Sequence, residues 1–266
     1  MKKFLIPLLF LALMALAGCA QKGQPLIPAD TAYERWQAFA SNESYAGTYG
    51  VLSGSLRFGP ADNTHRVTYT LWSDLPSGAS NENGKVNSRN IRLEISAGIG
   101  GHLASLSFTD GRMLLLLPKE GRAYIGTSSN HNLKKLLGLS LPLELQALND
   151  FLAGRLFSAL DAPLPERYET GEDGGIVYHY KTKGGSAELT LDGRALPVRW
   201  KEQDGWDMEI AFTDDGLPSK ISGRLHAEDG EQRLVLLAKE RSPLSSVQAA
   251  DTGLRIPAGF TVYSLD

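Results

Sequence analysis

The stretch LLLLPKEGRAYIGTSSNHNLKKLLGLSLPLELQALNDFLAGRLF, Leu114–Phe157, decides how the chain is read. Two apolar strand-like runs come first, Met113–Leu117 and Ala123–Ile125. Two short helical patterns follow, at roughly 130–138 and 142–153. Leu141, Leu145, Leu148 and Leu152 recur at the spacing of one helix face, with Pro142 suited to a first turn and Gly154 to a stop. Leu133, Leu136 and Leu137 form a second stripe, closed by Gly138. On either side of this segment nearly everything alternates with period two. A sheet interrupted once by apolar helices predicts a curved sheet with helices in its hollow. A plain helical hairpin covering a sheet fits the same pattern.

Outward from the centre, the alternation is clearest in Ile91, Leu93 and Ile95 against Arg92 and Glu94. Leu52, Leu56 and Phe58 share one face of an earlier strand, and Val67, Tyr69 and Leu71 share a face of the next. Leu103–Phe108 and Met113–Leu117 form a hairpin around Thr109-Asp110-Gly111. Ser73–Ser88, rich in Ser, Asn and Gly, is expected to be a long loop. Beyond a Pro- and acid-containing connection at Asp161–Gly175, strand-like runs recur about every ten residues between Asp-Gly turns such as Asp192-Gly193, Asp204-Gly205 and Asp229-Gly230. The whole reads as an antiparallel meander of about eleven strands, mainly β with a few helices. Leu254–Phe260 is either a closing edge or a tail along the sheet. Asp30 or Thr31 is expected to cap an N-terminal helix with Tyr33, Trp36 and Phe39 or Ala40 on its apolar face, ended by Gly47 and Gly50.

The first residues carry a separate message. Lys2 and Lys3 precede an apolar run, Phe4–Ala15, too short to span a bilayer comfortably. Leu16-Ala17-Gly18-Cys19 then looks like a bacterial lipobox, in which small residues admit the signal peptidase and the thiol takes the lipid. Residues 1–18 are expected to be a lipoprotein signal peptide, 19–28 a lipidated tether, and 29–266 a single domain. A simple secretory peptide with a chance cysteine is the alternative. Cys19 is the only cysteine, so no disulfide forms within the chain and a metal-thiolate cluster is implausible. Several acyl chains on Cys19 would anchor firmly, at about 0.8 kcal/mol for each buried methylene. Ala20, where an aspartate would favour the inner membrane, leans toward the outer membrane.

The same residues argue against several chemistries. A net charge of -3 implies no basic surface for nucleic acid. His65, His102, His131, His179 and His226 lie far apart, with no metal-binding spacing. There is no Gly-x-Ser-x-Gly elbow, and Gly98-Ile99-Gly100-Gly101 matches no phosphate loop. Neither an enzyme nor a cofactor is implied. The sheet's apolar face has only about three short helices to cover it, which suits an apolar hollow for acyl chains. A sheet curled on itself as a closed barrel or sandwich remains equally open from the pattern.

The arrangement resembles the LolA/LolB lipoprotein-carrier superfamily, best over Leu52–Leu156. The residues that carry the resemblance are Leu52-Ser53-Gly54-Ser55-Leu56, the Ile91–Ile95 strand with its glycine loop, Leu117-Pro118, Tyr124-Ile125-Gly126, and Leu136–Leu139 followed by Leu141-Pro142. With the lipobox, the resemblance points to the LolB branch. It implies an open, incomplete β-barrel lidded by the mid-chain helices and the N-terminal helix. It also implies a domain in the periplasm, anchored to the outer membrane, that binds acyl chains of lipoproteins or other lipids and takes part in lipoprotein localisation. A periplasmic LolA-like carrier is an implied partner, and the chain is expected to be a monomer. A non-catalytic scaffold lipoprotein of an envelope complex is the rival. Cavity candidates are Leu56, Phe58, Val67, Tyr69, Ile91, Leu93, Leu106, Leu133, Leu137, Leu145 and Leu148. The resemblance implies that the family's exposed loop leucine, which helps insert cargo into the membrane, is matched by Ile99 in Ser96–Gly101; a tight hairpin with Ile99 folded onto the core is the alternative. Ser73–Ser88 and the C-terminal extension, about Ser242–Asp266, have no counterpart in the resemblance.

Overall fold

A computed structural model describes residues 27–41, 50–73, 90–98, 100–109, 111–127, 129–171, 174–182, 185–227, 230–242 and 253–265. Cys19, Ile99 and the expected loop beyond Ser73 lie outside them. Helix α1 (Ala29–Ser41) leads into β1 (Val51–Pro60), β2 (His65–Ser73), β3 (Ile91–Ala97), β4 (Gly101–Thr109), β5 (Arg112–Leu117) and β6 (Arg122–Thr127). Helices α2 (Asn130–Leu137), α3 (Leu145–Leu152) and α4 (Leu156–Leu160) follow. The chain returns to strands with β7 (Arg167–Thr170), β8 (Ile176–Thr182), β9 (Gly185–Leu191), β10 (Pro197–Glu202), β11 (Trp206–Phe212), β12 (Pro218–Ala227), β13 (Gly230–Ser242) and β14 (Thr261–Ser264).

All fourteen strands belong to one sheet, in the order β14-β6-β5-β4-β3-β2-β1-β13-β12-β11-β10-β9-β8-β7. Two meanders, β1–β6 and β7–β13, are joined by antiparallel pairing of β1 with β13. Because β14 and β7 stand at opposite edges, the sheet is an open, unclosed barrel. At the seam the register shifts between Ser53 and Gly54. A Cβ on Gly54 would come within 1.9 Å of the Leu237 carbonyl oxygen, so only glycine allows this approach.

Among the described residues fourteen strands form where about eleven are expected. β7 and β14 have four residues each and are almost wholly exposed, so no apolar alternation marks them. β14 begins just past Leu254–Phe260 and lies parallel to β6, with Tyr263 stacked on Tyr124 at 5.2 Å. Elsewhere alternation serves as expected: Ile91, Leu93 and Ile95 of β3 are buried while Arg92 and Glu94 are only partly so.

The helices also differ in detail from the pattern. α2 starts after Ser129, whose hydroxyl accepts from the Asn132 backbone amide, and closes at Gly138 with φ of 66°. α3 begins at Leu145 rather than Pro142, after a bend at Pro142 and Leu143. Gly154 ends it, but the chain re-enters a helix, α4, that the leucine spacing does not show. In α1, Ala32, Trp36 and Phe39 are buried while Tyr33 is exposed, so Tyr33 does not belong to its apolar face. The described part of α1 runs to Ser41, and Gly47, one of the expected stops, lies outside the described residues.

Antiparallel hairpins place alternate turns at alternate rims of the barrel. The β1–β2, β3–β4, β5–β6, β8–β9, β10–β11 and β12–β13 turns share one rim. The β4–β5, β7–β8, β9–β10 and β11–β12 turns share the other.

Candidate functional site

The inward residues of the strands and the apolar faces of the helices form one continuous cluster. Register brings the candidate residues together. Leu56 faces Val67 across β1 and β2, Tyr69 pairs with Ile95, and Leu93 pairs with Leu106. Leu133 of α2 and Leu145 and Leu148 of α3 belong to the same cluster. Leu56, Phe58, Val67, Tyr69, Ile91, Leu93, Leu106, Leu133, Leu145 and Leu148 are buried; Leu137 is partly buried and packs against them. The hollow is thus occupied by the protein's own side chains, with the helices seated in it.

The far half of the interior was not singled out from sequence. Ile176, Tyr178 and Tyr180 on β8, Leu189 on β9, Trp200 on β10 and Met208 on β11 are as deeply buried as the first half. Their period-two spacing was a usable signal. An aromatic group closes this end: Trp36, Phe39, Phe157 and Tyr178 have neighbouring ring centroids 5.1–6.2 Å apart. The Tyr178 hydroxyl donates to the Ala32 carbonyl at 2.7 Å, and burial pushes its pKa up to about 12. That bond ties α1 to β8.

Polar links hold the helices over the sheet. Asn149 of α3 donates through Nδ2 to the Ser73 hydroxyl of β2 at 3.1 Å, with both residues buried. Asn132 of α2 donates to the Thr127 carbonyl at 3.0 Å, and Asn130 to the Leu141 carbonyl at 3.1 Å. Arg155 pairs with Asp150 between α4 and α3. Beside the Asn149–Ser73 bond lies a crevice of about 20 Å³ lined by Leu52, Leu71 and Leu152. On β2, the Tyr69 hydroxyl donates to the Leu237 carbonyl at the seam bulge, and burial raises its pKa strongly.

Two larger clefts open at the β7–β11 side. One, of about 630 Å³, lies between the end of α4 and the β8–β9 and β10–β11 turns, with Leu160 and Trp200 beside Lys181, Glu202 and Asp204. Burial raises the Glu202 pKa there. The other, of about 330 Å³, runs between α1 and the segment entering β7, lined by Tyr33, Trp36, Leu164, Tyr168 and Tyr178. Among the described residues no group of three or more His, Cys, Asp or Glu side chains is placed to hold a metal ion. What the arrangement offers chemically is apolar surface under helices, with tyrosines held neutral at physiological pH. Around Ile99, a Cβ added at Gly98 or Gly100 would meet no atom within 4 Å, so both glycines border open space.

No family model matches the chain, and no curated protein sequence does. Solved structures are similar in fold. A LolA superfamily protein from Nitrosomonas europaea is 13% identical, with a TM-score of 0.50, over 80% of this chain and 94% of that one. A DUF1329 family protein from Desulfovibrio piger is 11% identical, with a TM-score of 0.53, over 84% and 95%. A putative outer membrane lipoprotein-sorting protein domain from Vibrio parahaemolyticus is 11% identical, with a TM-score of 0.50, over 84% and 94%. At these identities the likeness establishes a LolA-like fold.

Proposed function

We propose that this chain is an outer-membrane lipoprotein of LolB type, lipidated at Cys19, whose domain (29–266) binds acyl chains between the helices and the concave sheet. Its part in the cell is lipoprotein localisation, receiving acylated cargo from a LolA-like carrier in the periplasm. The observation that carries this reading is the open sheet whose apolar concave face is covered by three short mid-chain helices and α1. Such a cover can be exchanged for acyl chains: cargo replaces leucine side chains on the same surface, and the hydrophobic driving force is regained rather than lost. No nucleotide is required for such a transfer. The LolA-like fold and the sorting domain among its structural neighbours support the assignment. Ile99, which follows β3 and precedes β4 in the sequence, is assigned the role of the family's membrane-inserting residue.

Since the interior is filled by the chain's own residues, uptake requires α2 and α3 to swing away from β1–β4. Ten of the cavity candidates then line the site, with Leu137 at its lip. The filled interior is also what a scaffold lipoprotein of an envelope complex would show, and this is the second reading.

Native mass spectrometry of the chain lacking residues 1–19, mixed with a triacylated lipopeptide, separates the two. The expected result is a one-to-one complex that is lost in Leu137→Asp, a substitution at a half-buried position that leaves the fold intact. A folded protein that takes up no lipopeptide overturns the carrier reading in favour of the scaffold.

A further inference from the structure

Large apolar side chains stand out from the surface at few places among the described residues. The most exposed are Leu164 at 77%, Tyr33 at 65% and Val262 at 50%, with Tyr263 and Tyr168 at about two-fifths. Three of these five, Tyr33, Leu164 and Tyr168, surround the single cleft between α1 and β7. Its wall is otherwise Ala29, Ala32, Pro165, Trp36 and Tyr178, with Glu166 and Arg167 the two charged residues that border it. An apolar cleft with exposed apolar lips is unusual on a protein that meets only water.

The chain itself indicates what covers the cleft. Ala29, the first residue of α1, lines it, and Ile27 just before packs against the core. Cys19 lies eight positions ahead of Ile27. Eight fully extended residues reach at most about 28 Å. A lipid on Cys19 therefore keeps this cleft within a short distance of the bilayer at all times. Leu164 also enters β7 from the rim that carries the β8–β9 and β3–β4 turns, so the lips of the cleft and those turns face the same way.

Charge narrows the mode of contact. Lys181 pairs with Glu166 at 3.3 Å and Arg167 with Glu169 at 3.5 Å, and Asp30, Glu34 and Arg35 leave α1 with a net negative charge. No cationic excess draws the surface to anionic lipid. Tyrosines and a leucine are instead the side chains that settle at the boundary of headgroups and acyl chains. Contact of this kind is too weak to bind a membrane alone and acts only beside a lipid anchor.

We propose that this cleft is a membrane seat: Leu164, Tyr33 and Tyr168 rest in the phospholipid interface beside the anchor and hold the barrel with its β3–β4 rim toward the bilayer. This rests on the lipid anchoring of Cys19. Without a seat, an eight-residue tether would let the barrel tumble and point its rims at random.

The acylated thiol leaves no other cysteine in the chain, so single cysteines can be labelled selectively. The full-length lipidated protein carrying Leu164→Cys or Tyr33→Cys, each with an environment-sensitive fluorophore, is reconstituted in phosphatidylethanolamine–phosphatidylglycerol vesicles. Asp214→Cys, in the exposed β11–β12 turn at the opposite rim, is the reference. The expected result is a blue-shifted emission at 164 and 33, quenched several-fold more by brominated phospholipid than at 214 and unchanged at high salt. Equal quenching at 164 and 214 overturns the seat. A blue shift at 164 that brominated lipid does not quench also overturns it, because the cleft is then filled by a second copy, another protein or the chain's own acyl group. The intact mass of the same preparation reports acylation of Cys19, so failure of the anchor is read separately from failure of the seat.

Discussion

Replacing Ser73 by alanine tests whether the helical cover opens. The Ser73 hydroxyl of β2 accepts a hydrogen bond from Asn149 of α3 at 3.1 Å, and the two residues are 3% and 4% exposed. With Ser73→Ala the closed cover holds a buried amide without its acceptor, which costs about 1–3 kcal/mol. The crevice alongside, about 20 Å³, has room for a single water, which places the cost at the low end, about 1 kcal/mol. When the cover is open the Asn149 amide is hydrated and the substitution costs nothing. The closed-to-open equilibrium therefore moves by about 1 kcal/mol, roughly fivefold. If acyl chains bind only the open form, apparent affinity rises by the same factor, because affinity scales with the competent fraction. The assay is titration of a fluorescent acyl probe beside urea unfolding of the same protein. Thr213→Ala removes a turn hydroxyl that accepts from the Leu217 amide at 3.1 Å, far from the helices, and serves as the control. It is expected to lower stability comparably and leave probe affinity unchanged. A Ser73→Ala protein that is less stable by about 1 kcal/mol but binds the probe no better refutes the moving cover.

Other positions carry sharper structural outcomes. Gly54→Ala puts a methyl 1.9 Å from the Leu237 carbonyl at the β1–β13 seam, and is expected to destabilise by about 3 kcal/mol or more in chemical unfolding. Asp207 is held below the usual carboxylate range, chiefly by its hydrogen bonds from Arg199 at 2.9 and 3.0 Å. Its stabilisation is present above about pH 4, the unfolded value, and is lost as pH falls through the folded value. Asp207→Asn should therefore lower neutral stability by less than about 1 kcal/mol, a difference that vanishes in acid. Glu202 shifts the other way, raised by burial, so its contribution is present below about pH 4.3 and lost as pH rises through its folded value. Glu202→Gln should raise neutral stability slightly in the same pH-resolved unfolding series; a decrease at neutral pH would show that its carboxylate makes a favourable contact.

Residue order alone determined much of this molecule. Period-two runs such as Ile91–Ile95 set the strands, because alternate side chains of a strand fall on opposite faces whatever their partner. Asp-Gly pairs set the hairpins, and Ser129 and Gly138 bound α2, because turns and caps are formed within a few residues. The leucine spacing from Leu141 to Leu152 marks α3, and most of the interior candidates were legible as the apolar half of each alternation. Tertiary structure decided everything that depends on distant partners. The sequence has no local mark for β1 meeting β13, about 180 residues later, or for β14 returning to β6, since those pairings depend on which edge remains available once the meanders have formed. β7 and β14 are strands only because a neighbour supplies the ladder, and α4 forms where the rings of Trp36 and Phe39 pack on Phe157. The same reason separates Tyr33 from Trp36. Both are aromatic residues of one helix, yet the core covers one and leaves the other at the lip of a cleft, because burial depends on what the rest of the chain brings alongside.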